Sequence, residues 1–216
     1  MQFVKESHDV KCEQSKIYLI IKRIFDFISS LIGLIIFFPI IIIIAVAIKL
    51  DSKGPIVFGH TRIGKDGQEI KVYKFRSMVK NAQEVFNKFT PEQKAEFNKN
   101  FKLENDPRIT RVGSFLRKTS LDELPQLWNI IKGDMSVVGP RPIVKKEIIK
   151  YGNSFKKVFS VKPGLTGYWQ ANGRSDTTYD ERVEMDLYYV NNRSLGLDFK
   201  IIIQTFVSVI KKEGAI

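Results

Sequence analysis

Residues 27–50 read FISSLIGLIIFFPIIIIIAVAIKL, and this stretch decides the fold. Its first 22 residues, 27–48, carry no formal charge. A helix of that length is about 33 Å long, which matches the hydrocarbon thickness of a bilayer. A buried helix of a water-soluble domain would keep a polar face, and residues 40–44 offer none. The stretch therefore predicts a membrane segment.

Basic residues flank this segment on both sides. Lys22 and Arg23 precede it, and Lys49 and Lys53 follow it. Basic flanks favour the cytoplasmic side, so a simple span would leave one flank outside, whereas a re-entrant hairpin keeps both inside. Pro39 lies near the midpoint and can kink or break a helix because it lacks a backbone donor. Proline also occurs in plain transmembrane helices, so the residues alone leave both topologies open.

Polar side chains near the start of the segment also have predicted roles. Asp26 has helical spacing to Lys22 and Arg23, which allows an ion pair at the membrane interface or a simple surface salt bridge. Ser29 and Ser30 could satisfy backbone carbonyls that a bend sets free. These residues therefore belong to the predicted membrane hairpin.

Composition limits the chemistry of the whole chain. The 216 residues carry a formal net charge of +12, of which +11 falls on residues 49–216. One cysteine and two histidines exclude an intrachain disulfide, a multi-cysteine metal site and a histidine-rich metal cage. Carboxylates, arginines and lysines must therefore do most of any catalysis. The basic balance indicates phosphate-bearing partners such as a nucleotide, a nucleic acid or an anionic lipid.

The remainder of the chain has weaker structural signals. Turn residues and an alternating run predict short strands in residues 51–80, including one at 70–75. Residues 81–103 predict two helices, the second beginning at Pro91 with Thr90 as its cap. Residues 198–212 predict an amphipathic helix that lies on the domain or in the bilayer interface.

The adjacent acids Asp122 and Glu123 are the strongest candidates for chemistry. The local interpretation is a helix cap, because Ser120 and Glu123 have the spacing of a capping box. The functional interpretation starts from the basic neighbours Arg117 and Lys118, which would depress the pKa of Asp122. An ionised carboxylate can ligate magnesium or attack phosphorus, and Glu123 could assist with the metal or with proton transfer.

Arginines are spread along the sequence around these acids. Guanidinium groups suit phosphate oxygens, although arginines also simply coat basic surfaces. Arg141 stands between two prolines, which stiffen its backbone. Residues 163–167 read PGLTG, whose glycines allow either close approach to an anion or a tight connecting turn. The candidate phosphate-binding residues are Arg76, Arg108, Arg117 and Arg141.

Several short motifs follow one another in a characteristic order. They are Lys22-Arg23-x-x-Asp26, the apolar segment with its central proline, Arg62-x-Gly64, Tyr73-Lys-Phe-Arg-Ser-Met78, Asp106-Pro-Arg-Ile-Thr110, Leu116-Arg-Lys-Thr-Ser-Leu-Asp-Glu-Leu-Pro-Gln126, Met135-Ser-Val-Val-Gly-Pro-Arg-Pro142 and Pro163-Gly-Leu-Thr-Gly167. From Ile17 to the C-terminus the chain resembles the bacterial sugar transferase family, the monotopic polyprenyl-phosphate phosphoglycosyl transferases.

The resemblance implies an enzyme that transfers a sugar-1-phosphate from a UDP-sugar to undecaprenyl phosphate and releases UMP. Such a reaction is the first membrane step of exopolysaccharide, capsule, O-antigen or glycoprotein glycan synthesis. It implies a location at the bacterial inner (cytoplasmic) membrane, with the catalytic domain on the cytoplasmic face and in contact with membrane lipid. It also implies Mg²⁺ as cofactor and no nucleic acid partner. A second copy of the chain and downstream glycosyltransferases are candidate partners.

The motif match also implies roles for particular residues. Asp122 would be the nucleophile of a ping-pong route through a covalent aspartyl-phosphosugar, Glu123 its partner, and both acids candidate ligands of Mg²⁺. Arg141 would hold a nucleotide phosphate, and Arg117 and Arg108 would hold the lipid or sugar phosphate. In the family, a re-entrant helix breaks at a proline, which favours the hairpin here.

The expected fold is α+β and mostly helical. It comprises a re-entrant membrane helix-hairpin and a small cytoplasmic catalytic domain with amphipathic interfacial helices and short strands. The expected boundaries are a tail over 1–15, a membrane helix over 16–50 broken near Pro39, and the catalytic domain over 51–216. Larger family members carry an N-terminal multi-span domain, so the chain resembles the minimal form. His60 stands where many members have glutamine, and no role is assigned to it.

Two other classes of function remain compatible with the residues. One is a membrane-anchored basic domain that binds an anionic polymer; it predicts that scattered lysines matter and that Asp122 does not. The other is an inactive scaffold of a polysaccharide assembly complex. The intact pair of Asp122 and Glu123 argues against a scaffold.

Overall fold

The computed structural model describes residues 15–100, 103, 105–173 and 177–210. Apart from its last residue, the predicted tail over 1–15 lies outside them. Helix α1 (Lys16–Asp51) is 36 residues long. Ser15 caps the N-terminus of this helix, because the Ser15 hydroxyl accepts a hydrogen bond from the amide of Ile17. The helix therefore extends one residue beyond the predicted end at residue 50.

Short helices and strands follow α1. The helices are α2 (Ala82–Asn87), α3 (Pro91–Asn100), α4 (Arg111–Lys118), α5 (Gln126–Lys132), α6 (Ile148–Tyr151), α7 (Phe155–Val158), α8 (Tyr168–Asn172), α9 (Tyr179–Asn192) and α10 (Leu195–Ile210). The strands are β1 (Val57–Ile63), β2 (Glu69–Phe75), β3 (Ser136–Val138) and β4 (Gly164–Thr166). This arrangement confirms the prediction of a mostly helical fold with a few short strands.

The strands form two small sheets. Strands β1 and β2 are antiparallel, with Val57 opposite Phe75, and the turn between them contains Asp66 at a φ of 55°. Strands β3 and β4 are parallel. Asn129 of α5 completes the free edge of β2, because its side chain accepts from the amide of Tyr73 and donates to the carbonyl of Lys71. Helix α5 is thereby joined to β2 by hydrogen bonds of the kind that a third strand would make.

Helix α1 packs on the other elements along one stripe only. Tyr18, Asp26, Ser30, Ile44 and Ile48 are buried, at roughly helical spacing, and most of the other apolar side chains are exposed. The helix is long and apolar enough to cross a membrane, and only 11% of its most apolar window is buried. A core helix of a soluble protein would be mostly buried, so the exposed apolar surface supports the predicted membrane segment.

The predicted break near Pro39 is absent from the helix. Helix α1 continues through Pro39 with helical geometry on both sides. One proline removes one hydrogen bond, to the carbonyl four residues earlier, and the remaining bonds hold the helix together. The hydroxyl of Ser29 donates to the carbonyl of Phe25 at 2.7 Å, one turn earlier, so it does not satisfy the carbonyl of Ile35 that Pro39 leaves free. The re-entrant hairpin itself stays a prediction.

Charged residues near the start of α1 contact other elements rather than one another. Lys22 pairs with Asp198 of α10 at 2.9 Å, and the Asp26 carboxylate accepts from the amide of Val137 at 3.0 Å. The predicted pairing of Asp26 with Lys22 and Arg23 is therefore wrong. The reason is tertiary, because these side chains face the protein and make their hydrogen bonds to groups on other elements.

Arg23 has a separate partner in helix α5. Its two terminal nitrogens donate to the carbonyls of Ile130 and Ile131, at 2.6 and 2.8 Å. These carbonyls lie in the last turn of α5, where backbone acceptors have no partner within the helix and a cation is favoured. Arg23 thus caps α5 and attaches it to the N-terminal half of α1.

The C-terminal half of α1 belongs to a hydrophobic cluster. Ile44 and Ile48 are buried there with Phe75 of β2 and Leu116 of α4. Leu121 and Leu124, which follow α4, pack against the same cluster. The segment between α4 and α5 therefore rests directly on the membrane helix.

Predictions for the smaller helices are largely confirmed. Helix α3 begins at Pro91, and the Thr90 hydroxyl accepts from the amide of Gln93 at 3.3 Å, as a cap does. Helix α10 begins at Leu195, three residues before the predicted start, and it exposes Phe199 and Phe206. The helix is amphipathic, as predicted, and its position in a bilayer interface stays a prediction.

Candidate active site

Asp122 and Glu123 lie in a short 3₁₀ helix, Leu121–Glu123, between α4 and α5. Ser120 precedes it in the left-handed conformation, at a φ of 57°, and its hydroxyl makes no capping bond. The predicted capping box of Ser120 and Glu123 is therefore wrong. The reason is that the chain turns sharply here to seat Leu121 and Leu124 on α1, which separates the acids from the start of α5 at Gln126.

Lys74 of β2 joins the two acids. Its ammonium lies 2.5 Å from a Glu123 carboxylate oxygen and 3.8 Å from Asp122 Oδ2. The hydrogen bonds of Asn129 to β2 hold this strand against α5 and so fix Lys74 relative to the acids. A single cation thus sits between the two carboxylates, although it lies 48 residues before Asp122 in the sequence.

Burial dominates the electrostatics of Asp122. Burial raises the pKa of Asp122 to about 6; Lys74 and Arg117 oppose the rise and the charge of Glu123 adds to it. The prediction of a depressed pKa is therefore wrong, since it counted the basic neighbours and omitted the loss of water. Asp122 is still mostly ionised at neutral pH, as a nucleophile requires.

Glu123 has the opposite shift. Burial alone would raise its pKa, but the charge and hydrogen bond of Lys74 outweigh burial, with help from Arg141, and the pKa is lowered. The two acids are adjacent in sequence and differ in environment. Glu123 remains a carboxylate over a wider pH range than Asp122 does.

Arg117 approaches the pair from the last turn of α4. Its Nε donates to the hydroxyl of Ser77 at 2.9 Å, and its charge acts on Asp122. Helix α4 lies close to Ser77 because Gly113 leaves room for it: a Cβ at Gly113 would overlap the Ser77 carbonyl. The guanidinium of Arg117 is therefore placed near Asp122, the candidate nucleophile.

Arg141 approaches the site from a second direction. Its guanidinium lies 5.7 Å from the ring centre of Trp169, and that of Arg182 lies 4.7 Å from the same ring. Arg141 acts electrostatically on Glu123 and on Arg62 of β1. The structure therefore brings Arg117 and Arg141 to the acidic pair, and their predicted roles as phosphate ligands stay predictions.

Two glycine loops set the position of Arg141. Gly139 donates its amide to Thr166, and Gly164 donates its amide to Pro140. A Cβ at either glycine would overlap the facing backbone. These amides are used between the loops, so close backbone packing explains the PGLTG segment better than anion binding does.

Arg76 and Arg108 have other partners. Arg76 is buried and donates to the carbonyls of Ser52 and Lys53 at 2.7 and 2.6 Å, at the C-terminal end of α1. Its guanidinium packs against Gly54, whose φ of 133° favours glycine. Arg76 is thus placed as a cap of the membrane helix, and its predicted phosphate contact has no support from this geometry.

Arg108 is enclosed by acidic and aromatic groups. It pairs with Asp106 at 2.6 Å, and the rings of Phe86, Phe89 and Phe97 lie 5.0–5.1 Å from its guanidinium. Cation–π contacts of this kind stabilise a cation away from water. Arg108 thereby attaches the pair α2 and α3 to the loop before α4, and its role as a phosphate ligand stays a prediction.

Sequence reasoning missed several residues near the site. Lys74 lies within the quoted motif Tyr73–Met78, where only Arg76 was singled out. Arg62 pairs with Glu147 at 3.8 Å and contacts the ring of His60 at 3.2 Å. Asp186 of α9 is completely buried and accepts from the hydroxyl of Tyr151 at 2.9 Å. An acid inside an otherwise apolar helical stripe was the available signal for Asp186.

The acidic pair fits a magnesium ion in the usual way for phosphate enzymes. Mg²⁺ is commonly bound by one or two carboxylates while substrate phosphates and water complete its shell. The Lys74 ammonium contacts both carboxylates, so a magnesium ion held by both would have to replace Lys74 as their shared cation. Among the residues that the structure describes, no cluster of three or more metal-binding side chains occurs, so substrate oxygens would have to supply the remaining ligands.

Comparison with known proteins identifies the family. The sequence model described as bacterial sugar transferase matches residues 17–212. The "UDP-galactose-lipid carrier transferase" of Erwinia amylovora is 46% identical over 198 residues, which are 90% of this chain and 41% of that protein. The "Undecaprenyl-phosphate galactose phosphotransferase" of Salmonella typhimurium is 48% identical over 198 residues, with the same coverage.

A shorter relative matches over most of its own length. The "Exopolysaccharide production protein ExoY" of Rhizobium meliloti is 44% identical over 197 residues, which are 90% of this chain and 87% of that protein. The chain spans about two-fifths of the length of the other two relatives. The family match covers α1 and the acidic pair together, and the chain belongs to the bacterial sugar transferase family.

Proposed function

We propose that the chain transfers a sugar-1-phosphate from a UDP-sugar to undecaprenyl phosphate and releases UMP. The names of its relatives include lipid carrier and undecaprenyl-phosphate sugar transferases. One observation supports this function above all: a buried, mostly ionised Asp122 stands on the C-terminal half of an exposed apolar helix. A nucleophile at that place can reach both a soluble nucleotide and a lipid phosphate.

The proposed reaction has two displacement steps. An Asp122 oxygen attacks the sugar-bearing phosphorus, forming an O–P bond while the bond from that phosphorus to UMP breaks, and UMP leaves with the electron pair. An oxygen of the lipid phosphate then attacks the same phosphorus, and Asp122 leaves as a carboxylate. No proton has to move in either step, so the reaction requires no general base.

The cationic side chains have defined tasks in this reaction. Arg117, beside Asp122, stabilises negative charge on the transferring phosphoryl group. Arg141, stiffened by its prolines and placed over Trp169, binds a phosphate of the leaving nucleotide. Lys74 aligns the two carboxylates. When bound, Mg²⁺ would be held by Asp122 and Glu123 and would neutralise charge on the diphosphate.

The membrane helix supports a hairpin on the cytoplasmic face. Both ends of α1 contact the same body: Lys22 pairs with Asp198, and Ile48 packs with Phe75. Pro39 lies on the exposed side of the helix, away from that body. Since a proline ring pushes against the turn before it, a bend at Pro39 would turn both ends toward the catalytic domain. The basic flanks at both ends agree with one cytoplasmic side.

Covalent adduct formation tests the mechanism. The purified chain is incubated with a panel of UDP-sugars and Mg²⁺ without lipid, and intact-protein mass spectrometry follows its mass. We expect a gain of one phosphosugar in the wild type and in the control variant Asp66→Asn, which changes an exposed acid, and no gain in Asp122→Asn. Transfer by Asp122→Asn should fall on the order of 10⁴-fold or more. Absence of the adduct in the wild type, or full activity of Asp122→Asn, would contradict the mechanism.

A further inference from the structure

Arg62 of β1 lies near Arg141 at the edge of the candidate active site. The amide of Ile63 donates to the carbonyl of Ile143 at 2.8 Å, which joins the end of β1 to the loop that carries Arg141. Burial lowers the pKa of Arg62, and the charge of Arg141 lowers it further. The fold therefore holds two guanidinium groups near one another, an arrangement that costs free energy unless an anion compensates their charges.

The N–H groups of Arg62 have only distant partners on the loop side. Its Nη1 lies 3.8 Å from a carboxylate oxygen of Glu147 and 3.5 Å from the carbonyl of Pro142, both long for a hydrogen bond. The carboxylate of Glu147 already accepts from the amide of Val144 at 2.8 Å. Arg141 is itself exposed. The two guanidinium groups can therefore donate to a further anion, and their planar shape suits phosphate oxygens.

His60 determines the orientation of Arg62. The two residues are two positions apart on β1, so their side chains lie on one face of the strand. Nδ1 of His60 lies 3.2 Å from Nη2 of Arg62. A guanidinium can only donate, so Nδ1 has to accept and the imidazole ring has to be neutral. Burial lowers the pKa of His60, and the charges of Arg62 and Lys74 outweigh that of Glu147, which favours this neutral form.

The same face of the hairpin leads to the acidic pair. The register of β1 and β2 places Lys74 on the same face as His60 and Arg62. Lys74 contacts Glu123, and the charge of Glu123 also acts on Arg62. A row of polar side chains thus extends from the acids to the two arginines. A substrate whose phosphorus is bound at Asp122 could extend its remaining phosphate along this row.

We propose that Arg62 and Arg141 together bind the diphosphate of the UDP-sugar, and that His60 is the positioning residue that directs Arg62 toward it. The proposal deepens the proposed function and rests on it for the identity of the substrate. A diphosphate carries negative charge on both phosphates, and each guanidinium can bind phosphate oxygens through paired N–H groups. The bound anion would replace the long contacts of Arg62 to Glu147 and Pro142 and would remove the repulsion between the two cations.

Binding of UDP to the detergent-solubilised chain tests Arg62 without any transfer reaction. Isothermal titration calorimetry with Mg²⁺ present gives Kd for the wild type and the variants. We expect Arg62→Gln to raise Kd about tenfold or more, because hydrogen bonds to a charged group are lost. Arg62→Lys keeps the charge without the planar donors and should raise Kd less. Lys71→Gln removes an exposed cation from the other face of the same hairpin and should leave Kd unchanged.

Substitutions at His60 separate positioning from a general structural role. His60→Gln keeps an acceptor for Arg62, whereas His60→Leu removes it at an exposed position. We expect kcat/KM for the UDP-sugar to fall about fivefold in His60→Leu and to stay near the wild-type value in His60→Gln. The kcat/KM for undecaprenyl phosphate should be equal in all three proteins, because UMP leaves before the lipid reacts. Equal losses in both variants, or losses for both substrates, would overturn the positioning role.

The outcomes distinguish the diphosphate site from the proposed function. Sugar-phosphate transfer together with a Kd for UDP that Arg62→Gln leaves unchanged would overturn the diphosphate site and leave the proposed function standing. UDP binding that depends on Arg62, in a chain without transferase activity, would support the site and contradict the proposed function. A wild-type chain that does not bind UDP would contradict both.

Discussion

At the scale of single residues, Lys74 organises the candidate active site. It holds Glu123 as a carboxylate and lies 3.8 Å from Asp122, which burial leaves with a pKa of about 6. The two acids therefore differ in environment although they are neighbours in sequence. Asp122 is a buried carboxyl group that ionises near neutral pH. Glu123 keeps its negative charge to lower pH because Lys74 lowers its pKa. This asymmetry is what a nucleophile and its partner need.

Asp186 gives a prediction about stability and pH. Burial raises the pKa of Asp186 to about 7, although Tyr151 and Arg141 oppose the rise. The folded protein therefore binds a proton that the unfolded chain releases near pH 4, and Asp186 lowers stability as the pH rises from about 4 through 7. Asp186→Asn should raise Tm at pH 8 by about 2 °C or more and change it little at pH 5.

Thermal unfolding of the detergent-solubilised protein at the two pH values measures this effect. The exposed Glu184 lies on the same helix, so Glu184→Gln serves as the control and should show no such pH dependence. An equal change in Tm at pH 5 and pH 8 for Asp186→Asn would show that the carboxyl does not titrate in this range.

At the scale of elements, helix α1 is attached to the catalytic part by capping arginines. Arg23 caps the end of α5, and Arg76 caps the end of α1 itself. The orphan carbonyls of a helix end favour a cation, and a guanidinium can serve two of them at once. The two arginines thus fix both halves of α1, which supports the segment carrying Asp122 through the buried cluster below it.

Arg76 gives a prediction that separates a structural role from phosphate binding. Arg76→Gln removes charged hydrogen bonds to the carbonyls of Ser52 and Lys53, so it should lower stability by about 1.5–3 kcal/mol. Thermal unfolding in detergent measures the loss, and Arg111→Gln, at an exposed position on α4, is the matched control. An unchanged Tm together with a raised KM for UDP-sugar would instead assign Arg76 to phosphate binding.

At the scale of the whole molecule, the exposed apolar face of α1 is joined to a basic catalytic part. Under the proposed function, the excess of +11 on residues 49–216 would offset the repulsion between two phosphate substrates. The exposed apolar residues of α10, such as Phe199 and Phe206, form a second exposed apolar surface. These apolar surfaces agree with the proposed phosphate site beside lipid, and a nucleic-acid-binding domain would not require them.

Topology is tested by cysteine labelling with a membrane-impermeant maleimide. The single native cysteine, Cys12, reports the N-terminal side, and Cys12→Ser combined with Lys200→Cys reports the catalytic side. We expect both to react in inside-out vesicles and neither in intact spheroplasts, because a hairpin keeps both flanks in the cytoplasm. Lysed cells provide the control for reactivity. Labelling from opposite sides would show that α1 spans the membrane.

The sequence by itself determined the membrane segment, the acidic pair and the family motifs. These depend on local properties, namely the hydropathy of residues 27–48 and the kinds of side chain at Asp122, Glu123 and Arg141. Tertiary structure alone decided which partner each charge takes. Lys74 meets Glu123 across 49 residues, Arg76 caps α1 instead of facing the site, and burial reverses the expected shift at Asp122. Partner choice and loss of water arise only when distant segments pack together, so neither can be read from spacing along the chain.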